Sequence, residues 1–94
     1  MRIVKEAVAG TLESSDLFVR VSPGDRLDIN IASTVIGQYG DQIEAVVRET
    51  LEQMGVTEAS VAVEDKGALD FAIRARIQAA VLRAAQTAPD WSVL

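Results

Sequence analysis

Leu17-Phe18-Val19-Arg20-Val21-Ser22-Pro23-Gly24-Asp25-Arg26-Leu27-Asp28-Ile29-Asn30-Ile31 is the stretch that decides the fold class. Leu17, Val19 and Val21, and again Leu27, Ile29 and Ile31, put apolar side chains at every second position, the period of strands with one buried face. Between the two runs, Ser22-Pro23-Gly24-Asp25-Arg26 joins a residue of fixed φ, a permissive one and an acidic turn former, which reads as a tight reversal. Working outward toward the N-terminus, Glu6-Ala7-Val8-Ala9-Gly10-Thr11-Leu12 has small residues on both faces and reads as a further strand. Glu13-Ser14-Ser15-Asp16 then becomes the loop of a β-hairpin, all four side chains polar, of a length commonly built around a type I turn.

Working outward in the other direction, Ile43, Val46, Val47, Leu51 and Met54 recur at three- and four-residue spacing among charged residues, which predicts an amphipathic helix. Gly55 stands where a left-handed C-terminal cap belongs, and Asp41 is expected near the helix start. Ala59-Ser60-Val61-Ala62-Val63-Glu64 returns to the two-residue period, and Asp65-Lys66-Gly67 breaks the chain before a second helix. That helix is expected from about Ala68 to Ala85, burying Leu69, Ala72, Ile73, Ile77, Ala80, Val81 and Ala84. The order βββαβα predicts an α+β fold, a two-layer sandwich in which a mainly antiparallel sheet is covered by two helices. One domain spanning residues 1–94 is expected, with linker-like composition only after Thr87.

Composition removes several function classes. The 94 residues contain no cysteine and no histidine. A disulfide framework, a thiolate metal site and a cysteine nucleophile are thereby excluded, and the commonest general base near neutral pH is missing. Any thiol chemistry has to come from an attached group. A net charge of −5 disfavours nucleic acid and anionic membranes and suits basic protein surfaces. The N-terminal Met1-Arg2-Ile3-Val4-Lys5-Glu6 carries no long apolar run, so neither a signal peptide nor a membrane span is expected, and the cytoplasm is the expected location. Phe18, Phe71, Tyr39 and Trp91 are the only aromatic residues, which leaves the core to Val, Ile, Leu and Ala.

Ala9-Gly10-Thr11-Leu12-Glu13-Ser14-Ser15-Asp16 resembles the N-terminal signature of the citrate lyase acyl carrier protein, or gamma chain, family. Gln38-Tyr39-Gly40 is similar to a Gln-aromatic-Gly step of that family, and Asp65-Lys66-Gly67-Ala68-Leu69-Asp70 with Arg74-Ala75-Arg76 to its second signature. The resemblance implies a non-catalytic carrier. Ser14 would hold a 2'-(5''-phosphoribosyl)-3'-dephospho-coenzyme A arm, attached by a prosthetic-group transferase through a phosphodiester. The arm's thiol would carry acetyl and citryl thioesters between an alpha (acyltransferase) chain and a beta (citryl lyase) chain as citrate is cleaved to acetate and oxaloacetate. Glu13, Ser15 and Asp16 are candidate recognition residues, Ser15 also offers a competing hydroxyl where the family often has glycine, and no catalytic or metal-ligating residue is implied.

Other readings stand beside this one. Taken without the resemblance, Ser14 is a turn serine bonded to its own backbone. A carrier of a related lyase, such as one acting on citramalate, would look the same, and an unmodified protein-binding scaffold would keep the fold without the arm. Asp65-Lys66-Gly67 is either a docking patch or a strand-to-helix turn capped by Asp65. Arg74, Arg76 and Arg83 form either a ridge for the arm's phosphates or a solvated helix face. Glu13, Asp16, Asp65 and Asp70 imitate an acid/base pair only loosely, because nothing in their spacing makes them converge.

Overall fold

The computed structural model describes residues 1–33 and 36–85, with side chains in the first helix from Gly40 onward. The side chains of Gln38 and Tyr39, and the segment after Thr87 with Trp91, lie outside the described residues. The elements run β1 (Ala7–Gly10), β2 (Leu17–Ser22), β3 (Leu27–Ser33), α1 (Ile36–Gln53), β4 (Ala59–Asp65) and α2 (Asp70–Ala84). The order βββαβα and the α+β sandwich are as the sequence predicts.

Sheet order is β1-β2-β4-β3. β2 runs antiparallel to both β1 and β4, with Ala9 opposite Val19 and Val19 opposite Val63, while β3 runs parallel to β4 with Ile29 opposite Val61. The reversal at residues 23–26 therefore turns the chain without closing a hairpin, because β4 is inserted between β2 and β3. Four residues suffice to step over one strand, since strands two places apart lie only about 10 Å from each other. The turn is seated on the incoming strand, where the Ala59 amide donates to the Arg26 carbonyl at 3.1 Å.

The period-two reading holds on β2 and β4. Leu17, Val19 and Val21 point inward with Val61 and Val63, all at most 2 % exposed. Leu27, Ile29 and Ile31 keep the alternation but are only half-buried, because β3 is the sheet's edge and has a single neighbour. α2 lies across β1 and β2, and α1 packs on α2 and against β3. Ile43, Val46, Val47 and Leu51 on α1 meet Ile73, Ile77, Val81 and Ala84 on α2 in one cluster. Each fully buried Val, Leu or Ile contributes about 1.5–3 kcal/mol relative to its exposed state.

Three local expectations are corrected. α1 begins at Ile36, so Asp41 lies in its second turn and the first turn holds no acidic residue. α2 begins at Asp70, and Leu69 occupies its N-cap position outside the apolar stripe, 64 % exposed rather than buried. Ala72 is only half-buried, because it faces the flank of the hairpin loop instead of the sheet. The C-terminus of α1 is as expected. Gly55 adopts φ +70°, its amide bonds the Glu52 carbonyl at 2.9 Å, and the Val56 amide bonds the Leu51 carbonyl at 3.0 Å. This is a Schellman cap, with Val56 and Leu51 both buried where its apolar contact belongs.

Candidate functional site

The β1–β2 hairpin tip is shaped first by Gly10. It adopts φ +95°, and a Cβ at that position would overlap the Leu17 carbonyl oxygen, so no other residue fits where β1 leaves the sheet. The Thr11 amide then donates to Leu17 O at 3.0 Å and closes the base of the loop. At the tip, the Asp16 amide donates to Glu13 O at 3.2 Å, making a β-turn whose central residues are Ser14 and Ser15. Ser15 has φ +66°, the left-handed value that a type II turn demands at its third position, so the turn is not the type I expected. The same φ gives a physical reason for glycine to be favoured there. Glu13, Ser14 and Ser15 are all exposed.

Two sequence motifs that lie about fifty residues apart meet at this corner. The Ser15 amide donates to Lys66 O at 2.8 Å and the Lys66 amide donates to Asp16 O at 2.9 Å, extending the β2–β4 pairing past Leu17 and Asp65. Asp65, 1 % exposed, holds the far side of the contact. Its Oδ1 accepts from the Ala68 amide, and its Oδ2 from the Gly67 amide and the Ser33 hydroxyl, at 3.0, 3.0 and 2.8 Å. Asp65-Lys66-Gly67 is therefore a built strand-to-helix turn, although Asp65 caps the segment before α2 and not the helix itself.

Asp16 is the hub of the loop. Its Oδ1 accepts from the Leu17 amide at 2.8 Å and Arg76 Nε at 3.1 Å; its Oδ2 accepts from Thr11 Oγ1 at 2.7 Å and Arg76 Nη2 at 2.8 Å. The Arg76 pair is bidentate, the geometry in which arginine binds a carboxylate most strongly. Hydrogen bonds from Arg76 and then Thr11 hold the Asp16 carboxyl down at about 2, against an opposing effect of burial. The charge the sequence offered to partners at Asp16 is thus matched inside the chain, and Glu13 is the loop's free carboxylate. Arg76 is likewise engaged, Arg83 donates to Val8 O at 2.7 Å, and the two do not form a common ridge. Asp70 accepts from Gln42 Nε2 at 3.3 Å on the α1 side, so the four acidic residues do not converge on one centre.

Between the loop and α2 lies an open depression bounded by Glu13, Ser14, Ser15 and Asp16 on one side and Phe71, Ala72, Ala75 and Arg76 on the other. Phe71, on the helix side of this depression, is 70 % exposed. The sequence does contain a signal for it, since Phe71 lies two residues before Ile73 and so falls off the buried stripe of α2. The Asp16–Arg76 pair has no such signal, because sixty residues separate its members.

Among the described residues no side chain is hydrogen-bonded to the Ser14 hydroxyl. Its carboxylate neighbour Asp16 titrates far below neutrality, and among the described residues no group of acidic residues could hold a metal ion. A preformed loop with an exposed serine at its tip is a form suited to a carrier module. The comparisons specify which kind. The family model of the malonate decarboxylase delta subunit (MdcD), an acyl carrier protein, matches residues 4–84. A citrate lyase acyl carrier protein of Albidiferax ferrireducens is 67% identical over 85 residues, covering 88% of this chain and 87% of its own length. One from Haemophilus influenzae is 57% identical over 94 residues, covering 100% of this chain and 99% of its own. The chain belongs to the citrate lyase acyl carrier protein family. A chain in a Pseudomonas malonate decarboxylase hetero-tetramer in complex with malonate shares the fold at 20% identity, with a TM-score of 0.72 over 89% of this chain and 92% of that one.

Proposed function

We propose that this chain, as one domain spanning residues 1–94, is the acyl carrier subunit of citrate lyase and that Ser14 is its attachment residue. The observation that carries the assignment is the exposed Ser14 hydroxyl at the second position of a turn pinned on both sides, in the segment that resembles the family signature. Ser15 is also exposed, but its amide is tied to Lys66 and its backbone serves the turn.

The corner fits a phosphoribosyl-dephospho-coenzyme A arm. An exposed hydroxyl beside an open depression leaves room for a bulky phosphodiester, and Thr11 and Asp16 are hydrogen-bonded to each other without it. When bound, that group supplies the thiol that the polypeptide lacks. The chain's own contribution is mechanical: the loop presents the hydroxyl, the Asp65 turn and the Asp16–Arg76 pair keep it in place, and the α1–α2 core keeps the base rigid. The partners proposed are the prosthetic-group transferase and the alpha and beta chains of the complex. Glu13, exposed and carrying a free charge, is proposed as a contact for their basic surfaces. The setting is the cytoplasm; no described helix is long and apolar enough to cross a membrane.

Ser14→Ala tests the assignment. It should keep the native circular dichroism spectrum and lose about 1 kcal/mol of stability or less. With the cognate transferase it should show bare polypeptide mass, and the reconstituted complex should not cleave citrate. Ser15→Ala should still take the adduct. Peptide mapping that places the adduct on Ser15 would refute the assignment.

A further inference from the structure

The sequence suggests two direct roles at this corner: Asp16 as a charge for basic partners, and Arg76 as a charge for the arm's phosphates. Their geometry turns both inward in the resting protein, with Arg76 Nε and Nη2 on Asp16, whose carboxylate also takes Thr11 and the Leu17 amide. Asp16 also fixes Thr11, whose Oγ1 accepts from the Glu13 amide at 3.2 Å, and its own carbonyl accepts from Lys66. The turn carrying Ser14 is thus tied to β1, to the end of β4 and to α2 at once. One of its central residues, Ser15, sits at a φ that an untied chain would abandon.

We propose that Asp16, Thr11 and Arg76 form a latch whose role is to position Ser14 for covalent loading, so that the modifying enzyme reads a preformed turn. Asp16 and Arg76 act here as positioning residues, touching neither the arm nor the enzyme. The inference rests on the reading of Ser14 as the attachment residue.

Positioning has a kinetic signature of its own. If only a fraction of the molecules holds the competent turn, the apparent KM for the carrier rises by the inverse of that fraction, while kcat at saturation is kept. Loss of the charge-assisted pair should raise the KM of the transferase for the full-length chain about ten-fold or more.

The sign of two single substitutions separates the latch from direct recognition. Arg76→Met leaves the Asp16 carboxylate intact and unpaired, so an enzyme that reads this charge should load the variant as well as the wild type or better. Asp16→Asn frees the Arg76 guanidinium, so an enzyme that uses it for phosphate should gain. The latch predicts that both variants lose in KM, and that the double variant is no worse than either single one, because one interaction has been removed twice. Amide exchange supplies the readout besides loading: the Ser15 and Lys66 amides should exchange faster in both variants, while those of β2 and β4 keep their protection. Additive losses in the double variant, improved loading by either single variant, or unchanged Ser15 and Lys66 exchange would overturn the latch. Intact mass keeps the two readings apart, since a wild-type chain that takes no adduct on Ser14 defeats the attachment itself, whereas normal loading of Arg76→Met defeats only the latch.

Discussion

Asp16 shows how one residue converts geometry into a measurable property. Its carboxyl lies below the usual value of 3.8, at about 2, because Arg76 and Thr11 bond the charged form. A depressed carboxylate contributes stability that is fully present above its unfolded pKa and is lost as pH falls through the folded one. Asp16→Asn should therefore cost about 1–2 kcal/mol near neutral pH, with the partial exposure of Arg76 keeping the loss below the full linkage value. The gap to wild type should close as the pH falls from about 4 toward 2, where Asp16 itself becomes neutral; urea melts across that range measure it. A gap independent of pH would mean that the charge contributes nothing. Ser15 gives a second test at this scale. With φ +66°, Ser15→Gly should raise stability by up to about 1 kcal/mol, and Ser15→Val should lower the melting temperature, since a β-branched side chain resists the left-handed region.

At the scale of elements, the two helices differ in how far their patterns can be read. α1 has a clean stripe, and adjacent residues on it fall into opposite environments: Val47 is fully buried, while the Arg48 side chain is 54% exposed and pairs with Glu44 at 3.1 Å. Val47→Asp should cost several kcal/mol by burying a charge without a partner, and Arg48→Ala should be nearly neutral. Equal thermal midpoints for the two would contradict the helix orientation. α2 is rich in alanine, so its stripe is less distinct, and its spacing extends to Leu69 although the helix begins one residue later. Helix starts are hard to place when no side chain caps them, and Leu69 makes no capping hydrogen bond.

The whole molecule is organised around β2 and β4, the two strands with neighbours on both sides. Their inward side chains belong to one cluster with the buried faces of both helices, so no part of the sheet has a core of its own. The amides of β2 and β4 should exchange only through global unfolding, with a free energy equal to that from denaturant melts, as expected for one domain. Exchange of β4 through a separate, lower-energy opening would divide the fold. The serine corner hangs on the end of this central pair and inherits its rigidity, which suits the proposed presentation of Ser14 to other proteins.

Periodicity was sufficient for the six elements, their order and the inward faces of β2, β4 and α1, because burial on one face imposes a spacing that a single chain displays along its length. The polar hairpin tip with Ser14 was legible for the same reason, as polar residues between two apolar runs tend outward, although of the four only Glu13, Ser14 and Ser15 are exposed. The insertion of β4 between β2 and β3 was not legible, since a four-residue turn is compatible both with a hairpin and with a step across one strand. Nor was the type of turn at Ser15, which depends on a backbone angle that serine does not prefer. The fate of Asp16 and Arg76 lay furthest from the sequence. Each looks like a solvated charge beside its neighbours in the chain, and only the docking of α2 on the β1–β2 hairpin brings them within 2.8 Å, where pairing replaces hydration.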